Sequence, residues 1–122
     1  MAQSLERLFV RRDFLAAAKG ASKATKGLVL QLNVRNDQSA SVRFGLTATK
    51  KIGSAVTRNK TKRRLRALAK EILPQQGRSG MDYVLIGRLE TCRRNFNDLR
   101  NDFLYALRKL HGEIDQNQTK TD

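Results

Sequence analysis

A chain of 122 residues is the size of one ordinary domain, and its 39% hydrophobic and 30% charged content excludes a disordered polymer, since enough apolar side chains exist to offset chain entropy. Lys and Arg number 25 against 11 Asp and Glu, a net charge of +14 that makes a polyanion the expected partner.

In chain order, "VRRDFLAAAKG" reads as a short helix. Phe14, Ala17 and Ala18 share one side, Asp13 caps the helix or opens its first turn, and Gly20 is expected to end it in a left-handed conformation. "ASKATKG" is small and polar, as a connection is. "LVLQLNVR" alternates Leu28, Leu30, Leu32 and Val34 against Val29, Gln31, Asn33 and Arg35, the pattern of a half-buried strand. "NDQSA" has turn chemistry, and "VRFGLTAT" alternates again with Val42, Phe44, Leu46 and Ala48 on one face, so a hairpin is the simplest reading.

The stretch "KKIGSAVTRNKTKRRLRALAK", residues 50–70, is predicted to be largely helical, started by Ser54 as a cap and stopped by Pro74. "GRSGMDYVLIGR" gives a loop and a strand, Tyr83 to Ile86, whose continuous apolar run suits the middle of a sheet. Phe96, Leu99, Phe103, Leu107 and Leu110 then recur at helical spacing over 96–111, with Asn95 as cap and Gly112 just past the end. The order predicts an α+β fold: a single layer with one mixed sheet of about four strands and three helices, αββ(β)αβα. Residues 1–112 form the expected domain, and 113–122 the expected disordered tail.

From Arg43 to Lys70 the chain carries Arg43, Lys50, Lys51, Arg58, Lys60, Lys62, Arg63, Arg64, Arg66 and Lys70 without one acid. On a helical wheel Leu65, Leu68, Ala69 and Ile72 form an apolar stripe, while Asn59, Lys62, Arg63, Arg66 and Lys70 gather on a neighbouring face. Like charges four apart, as at Lys62 and Arg66, cost a few tenths of a kcal/mol each in an isolated helix. Phosphates relieve that repulsion, and Arg forks bind them in bidentate fashion. The plain alternative is a solvated face kept for solubility, although such faces ordinarily mix both signs.

The run "TKKIGSAVTRNKTKRRLR" closely resembles the signature of the bacterial ribonuclease P protein subunit, with Lys50, Lys51, Gly53, Ala55, Val56, Arg58, Asn59, Lys62, Arg63 and Arg66 in register. "RLFVRRDF" and "DYVLIGR" extend the resemblance over roughly residues 7–111. The chain departs from the family pattern at Ala67, at Arg88–Leu89, and at Ala18 and Gln31, where many members place an aromatic.

The resemblance implies a ribosomal-protein-S5-domain-2-like fold and a cytoplasmic protein that binds ribonuclease P RNA and the 5′ leader of precursor tRNA. It further implies that the RNA subunit, with Mg2+, cleaves the phosphodiester, and that the protein alone binds no cofactor, metal or small-molecule substrate. Arg58, Asn59, Lys62, Arg63 and Arg66 are the implied RNA contacts, with Lys50, Lys51 and Lys70 extending the patch. Asn59 either reads RNA or fixes the helix.

Phe14, with Phe9 as a neighbour, matches the leader-binding aromatic, and plain core packing is the alternative for both. Arg11 and Arg12 serve phosphate contact or solubility at the same rim.

No residue is assigned to catalysis. The acids form no pair suited to two metals, and His111 is expected at the surface. Cys92, a single cysteine, reads as an incidental thiol that excludes an internal disulfide. No segment approaches the roughly 20 apolar residues that span a bilayer, and the N-terminus has no apolar signal core. A ribosomal or general RNA-binding protein, or an autonomous nuclease, are the competing readings.

Overall fold

The computed structural model describes residues 4–120, with side chains described up to 116. It holds five strands, β1 (Leu5–Arg7), β2 (Ala21–Ala24), β3 (Leu28–Val34), β4 (Val42–Thr47) and β5 (Met81–Gly87), and four helices, α1 (Arg11–Lys19), α2 (Ala55–Gln76), α3 (Leu89–Arg93) and α4 (Phe96–Lys120). A 3-10 turn, Lys50–Ile52, precedes α2.

The sheet order is β1-β4-β5-β3-β2, with β1, β4 and β5 parallel and β3 antiparallel to both of its neighbours. β5 is central, as its unbroken apolar run foretold.

The expected hairpin between residues 28–35 and 42–48 does not form, because β5 lies between β3 and β4. The turn at 36–40, where Gln38 has φ 64°, hands the chain across to a strand that pairs elsewhere. The hairpin that does form joins β2 to β3 through Thr25, whose backbone N–H and hydroxyl both donate to the Leu28 carbonyl at 2.8 Å. "ASKA" is thus a strand and not a connection: an edge strand needs only one buried side.

Leu28, Leu30 and Leu32 of β3, Val42, Phe44 and Leu46 of β4, and Met81, Tyr83 and Leu85 of β5 face one way. They meet Leu65, Leu68, Ala69, Ile72 and Leu73 of α2 and Leu99, Phe103, Ala106, Leu107 and Leu110 of α4 in the main core. The opposite face carries α1 alone, lying across β3 and β5, where Leu8, Ala17, Val84, Phe14 and Ile86 make a smaller cluster. Ala18 turns to solvent.

Three helix ends depart from expectation. Gly20 ends α1 in an extended conformation (φ −84°, ψ −156°), not a left-handed one. α2 runs through Pro74 to Gln76, held by buried Ile72 and Leu73 and closed by the Gly77 N–H donating to the Leu73 carbonyl at 2.8 Å. α4 runs through Gly112, because Ile114 packs on the core and Asp115 pairs with Arg78 at 2.7 Å. The predicted tail at 113–122 is therefore helical as far as Lys120; residues 121 and 122 lie outside the described residues.

Candidate nucleic-acid interface

The start of α2 is built from local backbone chemistry. Buried Ile52 anchors the 3-10 turn, leaving Lys50 and Lys51 in solvent. Gly53 then turns at φ 144°, which an L side chain rarely adopts, and the Ser54 hydroxyl oxygen accepts the Thr57 N–H at 3.3 Å as the predicted cap.

The predicted apolar stripe of α2 is buried, so the basic face is left outward. Asn59, Lys60, Arg63 and Lys70 are exposed; Arg58, Lys62 and Arg66 are half-buried, their stems lying along the surface. Val56, 79% exposed, adds an apolar contact on the same turn that charge counting overlooked. Arg58 Nε is buried without a hydrogen-bond partner, the one such side-chain atom among the described residues.

Two charges of the acid-free run belong to the fold. Arg64 donates from Nη1 to the Thr91 carbonyl at 2.5 Å and from Nη2 to the Arg94 carbonyl at 2.7 Å, closing the end of α3 while its guanidinium sits 5.5 Å from the Phe96 ring centroid. Arg43 donates to both oxygens of Asp82 at 2.7 Å, and Arg35 Nη1 adds 2.6 Å to Asp82 Oδ1. Asp82 is fully buried, and Asp13 of α1 stands 3.5 Å from Arg43, so this network ties α1 to one end of the sheet. Sequence reasoning missed it, because only the β4–β5 register, Arg43 opposite Asp82, reveals it.

The leader-binding candidates occupy the other side of the sheet. Register aligns Gly45, Val84 and Gln31 on one rung, and Thr47, Ile86 and Val29 on another, as the sheet floor on the face that carries α1. Phe14 rests on that floor only because residue 45 is glycine: a Cβ there would lie 2.5 Å from the Phe14 ring. Phe14 is half-buried, and Phe9, just before α1, is 83% exposed. Arg11 and Arg12 project to solvent from the first turn of α1. The two predicted groups thus lie on opposite faces. On the α2 face, Gly87 lets Thr61 of α2 and Ile52 press against the sheet next to the Thr47–Ile86 rung.

His111 is not a surface residue. It is 9% exposed, and its Nε2 lies 2.7 Å from the Tyr83 hydroxyl. Burial pushes His111 down to about 4, helped by the Arg78 charge, and pushes Tyr83 up to about 12. The Arg78 N–H donates to the Tyr83 oxygen at 3.0 Å, so the phenolic hydrogen is free to go to a neutral imidazole. Cys92 is half-buried at the α2–α3 contact, with Sγ 3.0 Å from Thr61 Oγ1.

An α+β domain that presents a capped basic helix on one face of a mixed sheet, with Arg11, Arg12 and the exposed Phe9 beside α1 on the other, has the charge and shape of a nucleic-acid-binding class. A family model for ribonuclease P matches residues 3–111, and the chain belongs to the ribonuclease P protein family. It is 46% identical over 103 residues to the ribonuclease P protein component of Ruegeria pomeroyi, covering 83% of this chain and 82% of that one. With the Caulobacter vibrioides component it shares 44% over 115 residues, or 94% and 77% of the two chains.

Among solved structures it is similar to the Staphylococcus aureus RNase P protein, with a TM-score of 0.70, 27% identity and coverage of 85% of this chain and 94% of that chain. The Thermotoga maritima RNase P protein gives a TM-score of 0.66 and 30% identity over 81% and 92%. The subunit reading therefore stands, and a ribosomal or general RNA-binding protein is not favoured.

Proposed function

We propose that the α2 face docks the ribonuclease P RNA while the cleft between α1 and the sheet receives the 5′ leader of precursor tRNA, so that the RNA subunit cleaves the phosphodiester at the mature 5′ end. The observation that carries the reading is the face of Lys62, Arg63, Arg66 and Lys70 on a helix whose buried side fixes it outward, without an acid before Glu71. Arg58 Nε has no acceptor among the described residues, and because it is buried an RNA oxygen reaches it only if the side chain turns outward. In the cleft, Phe14 offers a ring edge and the Val84–Ile86 floor an apolar bed for one base, with Arg11 and Arg12 at the rim for phosphates.

The protein's own residues do not fit a two-metal hydrolytic site. Asp82, Asp102, Asp115 and Glu71 each accept an arginine, and no three His, Cys, Asp or Glu come together among the described residues. In this reading the RNA subunit carries the Mg2+ chemistry, and the protein contributes position and charge. Precursor-tRNA cleavage by a bacterial ribonuclease P RNA at low Mg2+, with and without the protein, tests the reading. The protein is expected to stimulate cutting at the mature 5′ end, to cut nothing alone, and to bind leader-bearing tRNA better than mature tRNA. Intact RNA binding without stimulation overturns it.

A further inference from the structure

Beyond these two surfaces lies a third cationic cluster, on the outer side of α4. Tyr105 is 40% exposed, and its ring centroid has Lys23 Nζ at 5.8 Å, Arg108 Cζ at 5.6 Å and Lys109 Nζ at 5.6 Å. Lys23 reaches it from β2 because the register sets that residue beside Leu30, whose side chain faces the helix layer. Other arginines of this layer are neutralised: Arg78 by Asp115, Arg94 by Asp102, Arg100 by Glu71. None of the three cations around Tyr105 has an acid within ion-pairing distance among the described residues. Of the acids on the same side of α4, Asp98 stands about two turns before Tyr105, Asp102 is taken by Arg94, and Glu113 lies one turn beyond Lys109 without coming within ion-pairing distance of it.

A ring has two faces, and cation–π contact at an exposed site contributes only about 0.5–1 kcal/mol. Three cations cannot all be satisfied by one ring, and they repel one another. A nucleotide answers both features at once, with a flat base for the ring and a phosphate for the cations. A carboxylate peptide answers only the charge.

We infer that this patch is a separate surface for single-stranded RNA, in which Tyr105 stacks one base and Lys23, Arg108 and Lys109 hold the neighbouring phosphates. It lies on the helix side of the sheet, away from the α1 cleft, and the Arg100–Glu71 pair joins its helix to α2. An RNA strand leaving the α2 face reaches it without crossing the sheet.

The test uses the full chain and an oligouridylate carrying 4-thiouridine. Photocrosslinks are mapped, and affinities are measured in the native background and with Arg63→Ala and Arg66→Ala together, so that α2 does not mask the patch. A crosslink is expected in the tryptic peptide of residues 101–108, which contains Tyr105. Tyr105→Ala is expected to weaken oligouridylate binding by about five- to a hundred-fold in the double-variant background, and Tyr105→Phe to retain it. Polyglutamate binding is expected to be indifferent to Tyr105→Ala.

No crosslink in that peptide, unchanged oligouridylate affinity in Tyr105→Ala, or equal weakening toward polyglutamate overturns the inference. If the arginine changes abolish all binding and Tyr105→Ala does nothing, the α2 reading stands and this one falls. If Tyr105→Ala alone matters, the opposite holds.

Discussion

Asp82 shows how one buried carboxylate sets the use of two cations. Removing its charge by Asp82→Asn leaves Arg35, whose side chain is 5% exposed, with only the half-exposed Asp37 as counter-ion, and the loss of one partner from a buried pair costs up to about 3–5 kcal/mol. Urea unfolding is expected to show that drop, whereas Glu71→Ala, at a solvent-screened pair with Arg100, is expected to leave the urea midpoint almost unchanged. On α2, Arg63→Ala and Arg66→Ala are each expected to lower the salt slope of RNA-subunit binding by about 0.7, one phosphate's share on single-stranded RNA. An unchanged slope would assign both arginines to the fold. Gly45→Val places carbon where the Phe14 ring now lies, so leader affinity is expected to fall with RNA-subunit affinity intact.

Elements with a strong apolar period were legible in the sequence, and those that depend on remote partners were not. The stripe of α2, the Ser54 and Asn95 caps and the central β5 all followed from residues within a few positions of each other. β1, three residues long, and β2, with only a half-buried side, exist because β4 and β3 offer hydrogen bonds to them, which no local pattern records. The basic face was legible for the same local reason as its stripe, whereas the roles of Arg43 and Arg64 required the tertiary fold. At Gly112, burial of Ile114 outweighs a glycine penalty of roughly 1 kcal/mol and carries the helix on. A Cβ at 112 meets nothing within 4 Å, so Gly112→Ala is expected to raise the urea midpoint by the equivalent of about 0.5–1 kcal/mol.

At the scale of the whole molecule, His111 is one seat of acid sensitivity, beside Asp37, Glu71 and Asp115, which arginines help hold below the usual carboxylate range. The fold keeps this imidazole neutral down to about 4, while the unfolded chain takes up a proton near the ordinary histidine value of 6.5. The stabilisation is complete above that ordinary value and is lost as pH falls towards 4, by up to about 3 kcal/mol. Unfolding at pH 7 and pH 4.5 is expected to show the loss in the native chain and a smaller one in His111→Gln, which retains an acceptor for Tyr83. The position of β5 has a consequence in time. During synthesis β4 finds only the three residues of β1 to pair with, and β3 only β2, until residues 81–87 emerge and fill the gap between the two halves. The basic helix is the span that bridges that interval, so a nascent chain cannot hold it rigidly out to an RNA before the last strand arrives.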